Sequence, residues 1–331
     1  MGLFTTIVVI IVAVGIDLVV GEPPNRFHPV AWMGSVIGWA RRVCPKRGEW
    51  MRFLWGGTIV GVGCVIVGGI GWALDALGEW ILGEWVGNRG QVTQVVTWIA
   101  VVGGQAVVLK CCFGIRSLDR AARSVLSCLQ RQDDAAARQQ LGYHLVSRQV
   151  DLLSAAEISA ATIESVSENT SDSVVAPLFF YVLGGLPAAL IYRYVNTCDA
   201  MLGYRTTELE WLGKCAARCD DLLNWIPARI TAGLIMIASP TSALCAWRTW
   251  WQDSRRTTSP NAGHPMSAAA GALGVCLQKS DHYRLGARLR EPLSMDIASM
   301  LALFARTVTL AVLLACVSKA LIGWLVLRGT I

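Results

Sequence analysis

Charged residues are scarce in this chain of 331 residues, because Asp, Glu, Lys and Arg together make up only 16% of it. A soluble globular domain contains about 25% of these residues, whereas 54% of this chain is hydrophobic. The balance excludes a disordered or collagen-like protein and argues against a soluble enzyme. The apolar residues are gathered into blocks and no strand-rich region is visible. The sequence therefore predicts an all-α, polytopic helical membrane protein with amphipathic helices outside the bilayer.

Several familiar signatures are also missing. The chain contains no GxxxxGK[ST] phosphate loop, no HExxH and no GxSxG. Its eleven cysteines are an odd number and most lie in apolar stretches, so we expect packed thiols rather than a disulfide framework. No basic region or cleavage site accompanies the first apolar block, which we interpret as a retained span rather than a signal peptide.

The net charge of +6 comes from basic residues beside apolar blocks. Two groups stand out: Arg41, Arg42, Lys46, Arg47 and Arg52, and then Arg248, Arg255 and Arg256. Lys and Arg in such positions set membrane topology and contact anionic lipid. We therefore expect the lipid bilayer, and no nucleic acid, as their partner.

Hydropathy divides the chain into spans and polar segments. Blocks long enough to cross a membrane are 3–20, 53–74, 95–114 and 298–326. Two further stretches, 174–195 and 229–247, contain Pro or paired Gly, and we interpret them as spans or re-entrant helices. The polar segments are 115–173, 196–228 and 248–297. If the interrupted stretches are re-entrant, these segments share one membrane face, and we expect them to form the site of a single membrane-integrated domain, 1–331.

Two polar clusters lie in the first half of the chain. Asp17 is followed by GEPPNRFHPVAWMG, a stiff, proline-rich segment that contains His28 and is also compatible with a turn at the membrane interface. Glu164, Glu168 and Asp172 are spaced i, i+4 and i+8, so a helix would stack three mutually repelling carboxylates beside Asn169. A Mg²⁺ ion would relieve that repulsion, although a solvated helix face is the alternative.

Two more clusters follow. The segment from Asn196 to Arg229 supplies carboxylates for a metal ion and basic groups for a phosphate. The alternative is that these charges form structural ion pairs. The candidate residues are Asn196, Arg205, Lys214, Arg218, Asp220, Asp221, Asn224 and Arg229. The sequence SPNAGHP is typical of a turn and contains Asn261 and His264. The small-residue helix MSAAAGALGV follows it and permits close packing.

Taken in order, these clusters resemble the signature blocks of the adenosylcobinamide-phosphate synthase family of cobalamin biosynthesis. The resemblance covers about residues 14–276 and rests on DLVVGEPPNRFHPVAWMG, ESVSENTSDSVVAPLFFYVLGG, NTCDAMLGYR with DDLLNWIPARITA, and SPNAGHPMSAAAGALGV. Departures are Arg148-Gln149-Val150, a missing basic residue near Ser159, and Gln278-Lys279 after LGV. They lie in the helix over 140–160 and in the turn near 280.

The resemblance implies a ligase in the inner membrane, with its site facing the cytoplasm. Such an enzyme joins aminopropanol, or its O-phosphate, to the f-propionate of the corrinoid substrate adenosylcobyric acid, using ATP and Mg²⁺. We expect metal ligands among Glu164, Glu168, Asp172, Asp220 and Asp221. Arg205, Lys214, Arg218 and Arg229 would offset phosphoryl charge, and Asn169, Asn196, Asn224 and Asn261 would contact substrate.

Acid–base and carboxylate chemistry is assigned in the same way to His28, Glu168, Asp221 and His264, with His28 or His264 taking the proton of the attacking amine. Two other functions remain compatible with the sequence. One is a polytopic transporter, although its polar site would normally lie at span midpoints. The other is a non-catalytic scaffold that gathers further corrinoid-pathway enzymes.

Overall fold

The chain folds almost entirely into helices. A computed structural model describes residues 3–45, 48–85, 90–147, 149–204, 206–279 and 282–329. The helices are α1 (Leu3–Val19), α2 (Pro29–Arg42), α3 (Glu49–Trp80), α4 (Gln91–Lys110), α5 (Ile115–Gln130), α6 (Asp134–His144), α7 (Ala155–Thr170), α8 (Ala176–Leu202), α9 (Glu210–Leu223), α10 (Trp225–Ala238), α11 (Ala243–Asp253), α12 (Gly263–Leu273) and α13 (Ser294–Leu327). The strands β1 (Leu277–Lys279) and β2 (Tyr283–Leu285) pair as an antiparallel hairpin. The all-α prediction is confirmed.

Several helices are long and apolar enough to cross a bilayer. Among the described residues they are Glu49–Gly83, Gln91–Lys110, Ala155–Leu202 and Ser294–Val326, and α9 and α10 pass the same test as a pair broken at Asn224. The helix α1 is apolar but only 17 residues long. A π-helical turn, Ser171–Val175, makes α7 continuous with α8. The protein is thus a polytopic helical membrane protein, while the exact spans within 3–20, 174–195 and 229–247 stay predictions.

The chain divides into two compact units. The first contains Met1–Gly114, Pro177–Leu223 and Val312–Ile331, and the second contains Ile115–Ala176 and Asn224–Ala311. The predicted polar segments 115–173 and 248–297 fall in the second unit, whereas most of 196–228 falls in the first.

In the first unit, glycines on α3 let other helices approach its backbone closely. A Cβ on Gly63 would overlap the ring of Tyr194, and one on Gly56 would overlap the carbonyl oxygen of Leu212. Tyr194 donates its hydroxyl hydrogen to the carbonyl oxygen of Ile59 at 3.0 Å. Small residues at such contacts are typical of helix packing in membranes, where helix association depends on van der Waals packing rather than on the hydrophobic effect.

The helix α8 is broken inside the first unit. Gly184 and Gly185 leave the helical conformation, and Gly185 has φ +66°, a conformation that favours glycine. Asp75 accepts a hydrogen bond from the backbone N–H of Leu186 at 3.1 Å, and Lys319 donates to the carbonyl oxygen of Val182 at 3.2 Å. The two opposite charges thus stabilise the freed backbone groups on either side of the break.

In the second unit, α12 lies at the centre of the helices that build the pocket described below. It packs against α7, α10 and α11, and every residue from Gly263 to Gly271 is buried. The helices α5 and α6 form a hairpin that contacts α7. On α5, apolar residues three or four positions apart, such as Leu118, Ala122 and Val125, face the interior of this unit.

Candidate functional site

The turn that contains SPNAGHP sets the start of α12. The Ser259 hydroxyl oxygen accepts hydrogen bonds from the backbone N–H groups of Asn261 and Ala262 at 3.2 and 3.3 Å. Thr257 donates to the carbonyl oxygen of Ser259 at 2.7 Å. A Cβ on Gly263 would overlap the carbonyl oxygen of Ser254. The chain therefore needs glycine immediately before His264 to bring α12 against the end of α11.

Small residues hold α12 close to α11 along its length. A Cβ on Gly271 would lie 2.6 Å from the Cα of Ala246, and the Ser242 hydroxyl donates to the carbonyl oxygen of Ala272 at 2.7 Å. This contact is the close packing that the small-residue run after His264 permits. As a result, the imidazole of His264 lies against the indole of Trp250, with ring centroids 5.7 Å apart.

The hydrogen bond between these rings determines where His264 carries its proton. The Trp250 indole Nε1 is only a donor and lies 2.9 Å from Nδ1 of His264. In the neutral imidazole Nδ1 must therefore be the acceptor, and Nε2 carries the hydrogen. Burial, with the nearby charges of Arg229 and Arg255, lowers the pKa of His264 to about 4. The ring is consequently a neutral N–H donor at pH 7.

A cavity of about 490 Å³ adjoins this histidine, and its lining includes Arg229, Trp247, Trp250, Trp251, Arg255 and His264. Arg229 comes from α10, the tryptophans from α11, and Arg255 from the segment just after α11. His264 is 4% exposed, and its Nε2 has no hydrogen-bond partner among the described residues. A donor that is buried without a partner costs free energy, which marks this cavity as a candidate ligand site.

The cavity is electropositive. Arg229 stacks on Trp225 at 4.3 Å and donates to its carbonyl oxygen. Within the described part of the chain, no carboxylate forms an ion pair with Arg229 or Arg255. Arg229, Arg255 and the neutral His264 therefore line one cavity together with three tryptophans. This arrangement suits a ligand that has both an anionic and an apolar part.

The carboxylates predicted to bind metal do not line this cavity: Glu164, Glu168 and Asp172 belong to the second unit, whereas Asp220 and Asp221 belong to the first. Glu164 is buried on α7, and Glu168 is half-buried one turn further on. Asp172 follows in the π-helical turn, beyond the end of α7 at Thr170. In the described ranges, no group of three His, Cys, Asp or Glu side chains is placed to hold a metal ion. A pair with substrate phosphate would still satisfy Mg²⁺, and the metal ligands stay a prediction.

Asn169, Asn196 and Lys214 have partners within the protein. Asn169 donates to the carbonyl oxygen of Ser165 at 2.9 Å. In the first unit, Asn196 donates to Asp220 at 3.2 Å, which brings two predicted residues together. Lys214 lies 4.0 Å above the ring of Trp211 and 3.9 Å from Glu210. These contacts fit the alternative that some of the charged residues in this cluster form structural pairs.

Apart from Arg205, the other predicted binding residues lie on α9, between α9 and α10, and in the turn before α12. Arg218 is exposed and Asp221 is half-buried on α9, whereas Asn224 is buried where α9 ends and α10 begins. Asn261 is 5% exposed in the turn before α12. Arg205 lies outside the described residues.

His28 belongs to a polar cluster in the first unit, in which Asp17 and Lys110 are buried and Glu22 is exposed. Its Nδ1 accepts a hydrogen bond from the backbone N–H of Val30 at 3.2 Å, and its Nε2 lies 2.7 Å from Glu22. Lys110, only 2% exposed, lies 2.7 Å from Glu22 and 3.5 Å from Asp17. Desolvation alone would raise the pKa of Glu22, but the hydrogen bonds from His28 and Lys110 lower it to about 2. Both ring nitrogens of His28 are thus engaged.

Sequence reasoning missed part of the cavity. Arg255 was assigned to lipid contact because it lies beside an apolar block, and Trp247, Trp250 and Trp251 were not singled out. The tryptophan spacing offers a signal, since residues 247, 250 and 251 are three and four apart and therefore share one helix face. Arg229 and His264 were both predicted, and the structure brings them to one cavity.

Fold and site together define a multi-pass helical membrane protein with an electropositive, tryptophan-lined cavity. Residues 10–323 match the model of the family described as "CobD/Cbib protein", and the chain belongs to this family. It is 40% identical over 300 residues to "Cobalamin biosynthesis protein CobD" of Dehalococcoides mccartyi, covering 90% of this chain and 92% of the relative. The resemblance found in the sequence blocks is confirmed.

Two further relatives support the same assignment. "Probable cobalamin biosynthesis protein CobD" of Methanothrix thermoacetophila is 38% identical over 314 residues, with 93% of this chain and 95% of the relative covered. "Cobalamin biosynthesis protein CobD" of Klebsiella pneumoniae is 35% identical over 327 residues, with 94% and 96% covered. No solved structure matches the chain. The protein therefore has a role in cobalamin biosynthesis.

Proposed function

We propose that this protein is an ATP-dependent acid–amine ligase that joins 1-aminopropan-2-ol O-phosphate, or aminopropanol, to the f-propionate of adenosylcobyric acid. Family membership and the sequence blocks support the reaction. The observation that supports the proposal most strongly is that Arg229, Arg255 and His264 line one cavity. Arg229 and His264 come from different signature blocks, so two of the blocks line the same cavity.

The reaction is proposed to proceed through an acyl phosphate. A carboxylate oxygen of the propionate attacks the γ-phosphorus of ATP, a P–O bond forms, and ADP leaves. The amine nitrogen then attacks the acyl carbon, the C–O bond to phosphate breaks, and inorganic phosphate leaves as the amide forms. One proton is released from the nitrogen. Catalysis of such steps rests on positioning and on positive charge around the phosphoryl oxygens.

Individual residues take the following proposed roles. Arg229 and Arg255 hold phosphoryl or carboxylate oxygens, and the neutral His264 donates Nε2–H to the same anion. Glu168 with Glu164 or Asp172, or Asp220 with Asp221, binds Mg²⁺ on the phosphates of ATP. A carboxylate of these two clusters that does not bind the metal is the proposed proton acceptor, since Nδ1 of both His28 and His264 is occupied by a hydrogen bond.

The proposed setting is the inner membrane with the site on the cytoplasmic side, where ATP is available. The described helices are those of a multi-pass protein, and the corrinoid would approach along the membrane surface. A transporter is the second candidate, because α8 is broken at Gly184–Gly185 and carries charged partners there. Broken helices of this kind line the substrate sites of many transporters.

One experiment separates the two candidates. The chain is purified in detergent and mixed with adenosylcobyric acid, aminopropanol phosphate and Mg-ATP, and the amide is measured by mass spectrometry. We expect product from the wild type and from the exposed control Arg123→Gln, and at least a hundredfold loss in Glu168→Gln and Asp221→Asn. Absence of product, together with corrinoid uptake into liposomes, would replace the ligase by a transporter.

A further inference from the structure

The cavity beside His264 has a charge and donor pattern that is specific enough to name its ligand. Arg229 and Arg255 bring two positive charges with no carboxylate partner among the described residues. The buried Nε2 of His264 adds an unpartnered donor. Two positive charges match the charge of about −1.5 to −2 that a phosphomonoester carries at pH 7.

We propose that Arg229, Arg255 and His264 form a binding pocket for the phosphate group of a small phosphomonoester, with Arg255 and His264 as substrate-positioning residues. The proposal rests on the proposed ligase and deepens it, since the phosphorylated amine is then recognised through its phosphate. Each arginine presents N–H donors in a planar fork, and the histidine supplies a further N–H. A carboxylate, with one charge, would leave half of the positive charge unbalanced.

The tryptophans complete the pocket. Trp247 and Trp251 stack with ring centroids 6.0 Å apart, and both are exposed, at 49% and 71%. Their faces offer apolar surface beside the charged groups, which fits the short hydrocarbon part of an aminoalkyl phosphate. They also make the pocket observable, because a ligand that orders next to indole rings changes their fluorescence.

The same chemistry has a second source, the phosphate of an anionic lipid headgroup. Exposed tryptophans and nearby Arg248 and Arg256 are common at a membrane surface. The volume of about 490 Å³ and the depth of His264, which is 4% exposed, favour a small soluble phosphomonoester, because a lipid phosphate held by its acyl chains would have to reach a buried ring. The experiment below distinguishes the two sources.

Binding is measured by tryptophan fluorescence on the full chain, in a phosphate-free buffer and an uncharged detergent. The probes are 1-aminopropan-2-ol O-phosphate, unphosphorylated aminopropanol and inorganic phosphate. We expect saturable binding of the phosphomonoester, competition by inorganic phosphate, and at least tenfold weaker binding of aminopropanol. Vesicles of phosphatidylglycerol and of phosphatidylcholine form the lipid arm, and neither should displace the phosphomonoester.

The variants test the individual donors. Arg255→Gln should weaken binding at least tenfold, whereas Arg248→Gln, which removes the same charge from the exposed face of α11, should change it less than twofold. His264→Gln keeps an N–H donor and should lose less affinity than His264→Leu. If each variant has the circular dichroism spectrum and melting temperature of the wild type, misfolding is excluded as the cause of weaker binding.

Two results would overturn the proposal. Equal affinity for aminopropanol and its phosphate would show that the phosphate does not contribute to binding. A response to phosphatidylglycerol alone would show that the pocket binds lipid. Both results leave the ligase intact if amide still forms with ATP. Conversely, phosphomonoester binding without any amide product would contradict the ligase while the phosphate pocket stands.

Discussion

Trp250 donates its indole hydrogen to Nδ1 of His264 at 2.9 Å, so the neutral imidazole carries its own hydrogen on Nε2. The relationship makes the histidine a hydrogen-bond donor through Nε2 rather than a base. It also explains why a tryptophan, and not merely an aromatic ring, occupies position 250. Phe and Tyr lack a ring N–H at that place.

Trp250→Phe tests this orientation. The ring contact persists in the variant, but His264 is free to change tautomer, so we expect phosphomonoester affinity to fall about fivefold, equivalent to about 1 kcal/mol for one lost hydrogen bond. The matched control is Trp32→Phe, which removes the indole hydrogen bond to the carbonyl oxygen of Arg26 in the first unit. Equal affinities in wild type and Trp250→Phe would show that the bond does not orient the histidine.

The close packing of α3 is tested by two substitutions on the same helix. Gly63→Ala places a methyl group in the ring of Tyr194, and we expect a loss of about 1–3 kcal/mol in unfolding free energy from overpacking. At Gly61 no atom lies within 4 Å of an added Cβ, so Gly61→Ala should be neutral or slightly stabilising. Thermal unfolding in detergent gives both values, and similar melting temperatures for the two variants would contradict this packing.

The buried cation Lys110 is expected to matter more than a surface ion pair. Lys110→Met leaves Asp17 and Glu22 without their ammonium partner, and breaking such a buried interaction costs about 3–5 kcal/mol. Arg123→Gln removes an exposed i, i+4 pair with Asp119 and should cost less than about 1 kcal/mol. Chemical unfolding followed by tryptophan fluorescence gives the unfolding free energy of both variants. Equal losses would contradict the larger contribution expected of the buried Lys110.

The pH dependence of stability follows from Glu22. Its pKa is lowered from the usual 4.5 to about 2 in the folded protein, so its ionised form stabilises the fold above about pH 4.5. This contribution is lost as the pH falls from about 4.5 to about 2. The melting-temperature difference between wild type and Glu22→Gln should therefore narrow over that range. Parallel melting-temperature curves for wild type and Glu22→Gln over that range would be inconsistent with the lowered pKa.

The helical membrane fold could be predicted because it depends on long apolar blocks, which composition and hydropathy reveal directly. The break in α8 was also visible, since Gly184, Gly185 and Pro187 cannot continue a regular helix together. The partners of that break were not visible. Asp75 and Lys319 lie on distant parts of the chain, and only packing brings their charges to the freed backbone groups.

The candidate site, too, could be predicted from the sequence only in part. Arg229 and His264 were found because their blocks carry recognisable polar residues. Arg255 was not, because an arginine beside an apolar block has the same sequence signal whether it contacts lipid or a ligand. The π-helical turn that contains Asp172 could not be predicted either, since no residue type marks it.

The central claim is that the propionate is activated by ATP as an acyl phosphate, and isotope transfer tests it most directly. Adenosylcobyric acid is labelled with ¹⁸O in the reacting carboxylate and incubated with the purified chain, Mg-ATP and aminopropanol phosphate. Because the carboxylate oxygen that attacks phosphorus leaves with it, one ¹⁸O atom should appear in the inorganic phosphate for each amide formed. Amide formation with unlabelled phosphate, or with the label in AMP, would contradict the account.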